Sequence, residues 1–376
     1  MRNSLLALAL TALGALTGAT PPRTIECADD DPTGACAAVA PRVGHELSVL
    51  PIAFYTPETS LAFAAVAVWV HRETEDPAVR ASSARIGALY TLRNQISTGF
   101  DGTVVLAQDT WRVDVQLGLN RDHEDFYGVG NDTQPGDREV FTAWNPGVRV
   151  KLLRRVIGDL FVGPQIGAHD YLYQRQATGG LLDTGAVRGS DDHLTSGVGA
   201  VVQWDDRDDP FAPRLGGYYQ LDLTAFGPWT GSDHTYLRCD LDLRRFVELP
   251  WLHHVVAGRG YVSTGAGAYP WTAMPTLGGA NGVRGIYRPR FRDRTATFVA
   301  LEYRAPLFWR LGAVLFGGVG EVGHALSSLT VGGLHPAGGG GLRFALAPPE
   351  RVNLTFDVGV GPNAEVRPYV TVGESF

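Results

Sequence analysis

One arginine of this chain lies in a long, glycine-rich segment and has carboxylates within reach in the following sequence. Arg284 stands between Val283 and Gly285, in a loop of about 27 residues that runs from Gly267 to Asp293. Loops of this length are uncommon in compact domains and usually carry function, and glycine lets a backbone enter a confined space. A guanidinium held there needs an acidic partner. We therefore predict an ion pair between Arg284 and Glu302, which lies in the next strand.

The residues that usually perform catalysis or bind metals are not grouped in a comparable way. The ten histidines form no His-x-x-x-His or His-Glu-x-x-His pattern, and no Gly-x-Ser-x-Gly sequence is present. The glycine run Gly338–Gly341 lacks the Lys-Ser/Thr pair of a phosphate-binding loop. We expect no catalytic set, no metal site and no cofactor. Asp122, Glu124 and Asp125 are interpreted as solvated charge in an outer loop, with calcium or lipid-linked cations as the alternative.

The N-terminus has the pattern of a secretory signal peptide. Arg2 precedes the apolar run Leu5–Leu16, and small residues follow up to Ala19. The run is too short to span a bilayer, so residues 1–19 are expected to be removed on export. In an exported compartment, Cys27 and Cys36 are candidates for a disulfide in a short periplasmic segment, residues 20–44.

Composition excludes two large classes of protein. The chain has 32 Lys and Arg residues against 39 Asp and Glu residues, a net charge of −7. Nucleic-acid binding needs a basic surface, so we expect no nucleic-acid partner. The mean hydropathy is near zero, at −0.03, which excludes a bundle of membrane-spanning helices.

Alternation of apolar and polar residues begins near residue 45 and continues to the end of the chain. In Leu237–Arg244, for example, each leucine or cysteine alternates with a charged residue. Successive side chains of a strand point to opposite faces, so each such segment has one apolar and one polar face. The pattern predicts sixteen strands: Glu46–Tyr55, Leu61–Arg72, Ala81–Arg93, Ser97–Ala107, Thr110–Arg121, Arg138–Arg154, Gly158–Gln174, His193–Asp206, Gly217–Gly227, Asp233–Val247, Leu252–Gly265, Arg294–Ala305, Arg310–Val319, Ala337–Ala347, Arg351–Gly359 and Glu365–Phe376.

Strand length and loop parity favour a membrane barrel over a soluble sandwich. Many of the predicted strands reach ten or more residues, which suits a tilted membrane strand. The long loops fall mainly on alternate connections, which places them at one end of an up-and-down barrel. The expected fold is a 16-stranded antiparallel transmembrane β-barrel over residues 45–376, monomeric, in contact with outer-membrane lipid and lipopolysaccharide.

The segment Val283-Arg284-Gly285-Ile-Tyr287 resembles the Val-Arg-Gly-Tyr/Phe loop of the Omp85 superfamily. The barrel of that family, which includes BamA- and TamA-like proteins, is also called the bacterial surface antigen (D15) domain. The resemblance implies an outer-membrane location and an inward-folded loop between strands 11 and 12. It also makes Glu302, Arg343 and Asp357 candidate partners of the loop.

Further segments carry the same resemblance. Asp206, Arg207, Asp209 and Pro210, followed by Gly216, are similar to the strand–turn–strand motif of the family. Gly339–Phe344, with Arg343, is similar to its Gly-x-Gly-Leu-Arg segment. Phe376 at the end of the last strand resembles the C-terminal signal of outer-membrane proteins.

Two departures from the family pattern affect the functional expectation. The strand after Glu302 lacks the usual aspartate, so Asp357 or Glu321 is left as the second partner of Arg284. Residues 20–44 leave no room for a periplasmic POTRA repeat. The resemblance then implies a short member that helps insert or translocate proteins or lipids, with a separate periplasmic partner or an unfolded substrate. The alternative is a passive channel or a surface-exposed structural barrel, and we expect no enzymatic activity.

Overall fold

The computed structural model describes residues 24–26, 37–39, 43–56, 59–76, 79–209, 212–249, 253–347 and 352–376. The predicted signal peptide, the Cys27–Cys36 disulfide and Pro210 lie outside these residues. Within them, every helix is too short to cross a bilayer.

Sixteen antiparallel strands, each paired with its neighbours in sequence, close into one barrel when the last strand meets the first. Two short strands precede them and pair with each other: β1 (Thr24–Glu26) and β2 (Ala37–Val39). The barrel strands are β3 (Gly44–Thr56), β4 (Ser60–Arg72), β5 (Ser82–Thr91), β6 (Ile96–Leu106), β7 (Trp111–Phe126), β8 (Glu139–Ile157), β9 (Leu160–Arg175), β10 (His193–Asp205), β11 (Gly216–Phe226), β12 (Tyr236–Leu249), β13 (His254–Gly267), β14 (Thr295–Phe308), β15 (Leu311–Gly323), β16 (His335–Ala347), β17 (Val352–Val360) and β18 (Val366–Val372).

The predicted fold class is confirmed, and each of the sixteen predicted strands has a counterpart. Two boundaries differ in a way that matters for function. β7 continues to Phe126 instead of ending at Arg121, and β18 ends at Val372 instead of running to Phe376.

Period-two alternation separates a lipid-facing surface from a polar interior. On β11 and β12, Leu223 and Leu237 are 45% and 44% exposed, as expected for side chains that point away from the barrel. Asp240 and Arg238 point inward between them and form an ion pair with each other at 2.7 Å. Burying charge inside the barrel and exposing apolar side chains outside is the reverse of a soluble protein, and it matches a barrel surrounded by hydrocarbon.

Longer connections collect at one end of the barrel, here called the long-loop end. They include residues 127–138, 176–192, 268–294 and 324–334, whereas the opposite end has tight turns such as 158–159 and 309–310. Among the described residues, the connections at the long-loop end contain six single-turn 3-10 helices: Pro135–Asp137, Pro228–Thr230, Trp271–Ala273, Leu326–Ser328, Val331–Gly333 and Pro362–Ala364.

The closure between β18 and β3 is much weaker than the other strand pairings. Val370↔Tyr55 is the single registered pair between these two described strands, whereas β17 and β18 are paired over seven residues. We call this closure the seam. Because each missing pair removes backbone hydrogen bonds of the ladder, the seam is the part of the wall with the fewest bonds to break.

The hydrophobic core lies inside the barrel, around the loop between β13 and β14. Leu277, Val283 and Ile286 of this loop are at most 2% exposed and pack with Phe298 of β14. A second cluster, nearer the long-loop end, surrounds Trp271. This connection, residues 268–294, is therefore an inward-folded loop that fills one side of the lumen.

Candidate functional site

Glycines on the barrel wall make room for the tip of the inward loop. Gly285 has a φ of +108°, a left-handed conformation that other residues rarely adopt. It lies against Gly359 of β17, where a Cβ atom would come within 2.7 Å of the Gly285 nitrogen. At Gly320 of β15, a Cβ would lie 2.5 Å from Leu277 Cδ1. The tip and the wall thus fit backbone against backbone.

Arg284, at this tip, reaches carboxylates on two different strands. Its Nη2 donates to Glu302 on β14, and its Nη1 donates to Asp357 Oδ2 on β17 at 2.5 Å. The guanidinium carbon lies 3.7 Å from the centroid of the Phe316 ring. Asp357, rather than Glu321, is thus the second acidic contact of Arg284; Glu321 instead accepts a hydrogen bond from the Thr330 backbone at 2.9 Å.

The two carboxylates also bind other arginines, so the contacts of Arg284 are part of a larger network. Arg304 Nε donates to Glu302 at 2.7 Å, and Arg343 Nη1 donates to Asp357 at 2.5 Å. Glu374 accepts from Arg343 Nε at 2.9 Å. Three arginines and three carboxylates, all buried, therefore neutralise one another. We call this set the charge cluster: Arg284, Arg304, Arg343, Glu302, Asp357 and Glu374.

A second set of contacts holds the other flank of the inward loop, and the prediction for its acidic residues was wrong. Asp125 and Glu124 were expected to be solvated loop charge, but they lie on the extension of β7 and are 4% and 7% exposed. Glu124 forms an ion pair with Arg288. The Tyr287 hydroxyl donates to Asp125 at 3.0 Å. These contacts tie the inward loop to the wall opposite the charge cluster.

Asp122 belongs to the same corrected group. It is 4% exposed, and one of its carboxylate oxygens accepts a hydrogen bond from Asn145 on β8. Within the described ranges there is no group of three or more His, Cys, Asp or Glu side chains arranged to hold a metal ion.

Arg292, near the end of the loop, is fully buried and none of its side-chain nitrogens has a hydrogen-bond partner. Its guanidinium carbon lies 4.7 Å from the Trp271 ring centroid and 5.6 Å from that of Phe126. Burial lowers the pKa of Arg292 to about 10, and the charge of Glu124 opposes that shift. Glu124 therefore acts on two buried guanidiniums at once. Trp271, which is fully buried, is at the centre of this interior cluster.

Comparison with known proteins connects this arrangement to a family. The model of the Omp85 superfamily domain matches residues 80–328. The chain belongs to the Omp85 superfamily. An Omp85 barrel is an outer-membrane fold, so the chain is placed in the bacterial outer membrane. A search of curated proteins found no match.

Solved Omp85-type structures share the fold at low sequence identity. BamA from Haemophilus ducreyi lacking POTRA domains 1–3 is 11% identical, with a TM-score of 0.60 over 88% of this chain and 70% of that one. CdiB from Acinetobacter baumannii is 10% identical, with a TM-score of 0.55 over 88% and 65% of the two chains. For CdiB from Escherichia coli the values are 12%, 0.58, 89% and 63%. This chain thus spans less than two thirds of either CdiB chain.

The described residues of the strand–turn–strand segment of this Omp85 barrel lie between β10 and β11 and at the start of β11. Asp206 Oδ1 accepts from the Gly217 amide at 2.8 Å, and Asp209 Oδ1 accepts from the Ala212 amide at 2.9 Å. Gly216 has a φ of +89°. Arg207 forms an ion pair with Asp205, the last residue of β10, at 2.8 Å. These contacts shape the turn and do not reach the inward loop.

The last residues of the Omp85 chain turn into the lumen instead of extending β18. Phe376 is 7% exposed and packs in the same core as Phe246 and Leu277. Its carbonyl oxygen accepts from Arg304 Nη2 at 2.7 Å. The predicted role of Phe376 as an assembly signal stays a prediction, because it concerns the unfolded precursor.

Gly359→Ala is expected to destabilise the barrel by displacing the loop tip. The added methyl group would overlap the Gly285 backbone, and overpacking of this kind costs about 1–3 kcal/mol. Thermal unfolding, followed by the gel-mobility shift of the heated barrel, should occur at a lower temperature. Gly317→Ala on β15 is the matched control, since its Cβ would have no neighbour closer than 3.9 Å. Equal transition temperatures for the two variants would show that the close approach at Gly359 is unimportant.

Proposed function

We propose that this Omp85 barrel assists the insertion or translocation of proteins, or of lipids, at the outer membrane. In this proposal the chain is exported by its N-terminal signal, acts as a monomer without enzymatic chemistry, and receives its substrate from a separate periplasmic protein. The observation that carries the proposal is the seam, where β18 and β3 share one registered pair. An unpaired strand edge is a template on which an incoming strand can pair.

The inward loop makes one side of the seam firmer than the other. Its tip is tied to Asp357 on β17, and the Gly285 amide donates to the Tyr369 hydroxyl on β18 at 3.4 Å. Glu374 and Phe376, which follow β18, are bound by Arg343 and Arg304 of the charge cluster. We infer that β14–β18 and the loop form a fixed rim. Separation at the seam would then move β3 away from β18 without breaking the charge cluster.

Locking the seam is expected to abolish activity. Tyr55→Cys and Val370→Cys replace the one pair that faces across the seam, and residues directly opposite in antiparallel strands are near enough for a disulfide. Both substitutions belong in a Cys239→Ser background. In proteoliposomes supplied with an unfolded outer-membrane barrel protein, the oxidised form should fail to promote its insertion, and reduction should restore it.

A control cross-link also uses Val370, but it joins β18 to β17, two strands that do not have to separate. Phe356 lies opposite Val370 on the other side of β18, so Phe356→Cys/Val370→Cys joins β17 to β18. This variant should keep its activity when oxidised. Full activity of the oxidised Tyr55→Cys/Val370→Cys barrel would show that substrate does not pass through or pair at the seam.

A further inference from the structure

The side of the lumen away from the charge cluster is not filled by the inward loop. It contains two cavities, of about 410 and about 320 Å³. The larger, upper cavity extends toward the long-loop end beneath residues 272–282 of the loop. The smaller, lower cavity extends toward the opposite end. Arg149 and Gln220 line both, so the two cavities meet at these side chains.

Charge on this open side is unbalanced, in contrast to the neutral charge cluster. Basic side chains outnumber acidic ones in the lining of each cavity. Two of the lining aspartates are each shared between two arginines. Asp205 binds both Arg80 and Arg207, and Asp242 binds both Arg244 and Arg259. The lining of both cavities therefore carries an excess of positive charge, although the chain as a whole is negative.

The positive charge that remains available is concentrated where the cavities meet. Arg149, on β8 near the middle of the wall, is half-buried, and no side chain among the described residues forms a hydrogen bond or ion pair with it. Two residues further along β8, Lys151 lies 3.4 Å from Asp222 of β11. This pair joins strands that are not neighbours in the wall. It bridges one side of the lumen beside Arg149, with Lys151 in the lining of the lower cavity and Asp222 in that of the upper one.

We propose that the open side of the lumen is an anion-selective ion path, with Arg149 as its selectivity-determining residue and the Lys151–Asp222 pair as its constriction. An excess of one charge sign between low-dielectric walls concentrates counter-ions, and Arg or Lys side chains select anions in pores. The ligand class is a small inorganic anion such as chloride. The cluster around Trp271 borders the upper cavity at the long-loop end and limits conduction when the loop is in place.

Planar-bilayer recordings of the purified barrel in a KCl gradient test this path directly. The reversal potential should show chloride preferred over potassium. Arg149→Glu should shift the reversal potential toward potassium, because it exchanges a cation for an anion beside the constriction. Lys151→Ser/Asp222→Ser should raise the conductance severalfold and keep the anion preference. Arg175→Glu makes the same charge change at the exposed end of β9 and should leave the reversal potential unchanged.

Trp271→Ala gives a second means of opening the path if the wild-type barrel passes little current. This variant should conduct more than the wild type and show the same anion preference. Three results would overturn the proposal: preference for potassium in the wild type, an Arg149→Glu reversal potential equal to that of the wild type, or silence of both wild type and Trp271→Ala in membranes that contain heat-modifiable barrel. None of these results bears on the seam, so the proposed function is tested separately.

Discussion

Arg284→Ala is expected to release the tip of the inward loop and to lower the thermal stability of the barrel. Arg284 is 5% exposed and binds Glu302 and Asp357, which are 2% and 5% exposed. Without it, the charge cluster holds three carboxylates and two arginines in a site that water does not reach. Removing one partner of a buried ion pair typically costs about 3–5 kcal/mol. Arg304 and Arg343 still contact the carboxylates, which places the expected loss near the lower end of that range.

The measurement is the temperature at which the folded barrel converts to the slower-migrating unfolded form on gels. Arg284→Ala should convert at a clearly lower temperature than the wild type. Arg175→Ala, which removes an exposed arginine at the end of β9, should not. The double variant Arg284→Met/Glu302→Gln should be less impaired than the sum of the single variants, because it removes both members of the pair. Strict additivity would mean that Arg284 and Glu302 are not energetically coupled.

The barrel itself could be predicted from the sequence because its physical constraint is simple and repeated. Every strand must present an apolar side to lipid, so Leu221, Leu223 and Leu237 alternate with charged residues that have to be neutralised inside. The positions at which the strands end were harder to predict. β7 carries Asp122, Glu124 and Asp125 near its C-terminal end. A run of acidic residues after Arg121 has the composition that is typical of a loop. The structure keeps them in the ladder because Glu124 and Asp125 find partners on the inward loop, and Asp122 finds one on β8.

The charge cluster was partly predictable for a different reason. Arg284 and Glu302 are separated by few residues, and the strand after a loop is its nearest available wall. Glu374 and the Arg288–Glu124 pair depend on which distant strands the loop touches, and this is set by closure of the whole barrel. Glu124 and Arg288 are far apart in sequence, and no local pattern relates them. Parity could place Glu124 on the inner face of β7, but only after β7 is known to extend that far.

Glu124→Gln is expected to loosen the long-loop flank of the inward loop while leaving its tip in place. The substitution keeps the shape of the side chain and removes the charge that pairs with Arg288. It also removes the attraction that offsets the burial of Arg292. Leaving a buried guanidinium without its carboxylate partner lowers the free energy of unfolding by about 3 kcal/mol or more. The flank can avoid this cost locally, because moving residues 288–292 into solvent hydrates both arginines.

Limited trypsin digestion of the folded barrel distinguishes this local release from global unfolding. Cleavage after Arg290 or Arg292 should appear in Glu124→Gln and be absent from the wild type, while the heat-induced gel transition shifts less than in Arg284→Ala. Glu139→Gln is the matched control. Glu139, the first residue of β8, accepts a hydrogen bond at 2.7 Å from the Leu181 amide, which belongs to an outer loop away from these arginines. Arg292→Leu in the Glu124→Gln background should slow cleavage at the remaining site, after Arg290, because one of the two buried charges is then gone. An identical digestion pattern in wild type and Glu124→Gln would mean that the carboxylate does not hold the flank, and that packing around Trp271 is sufficient.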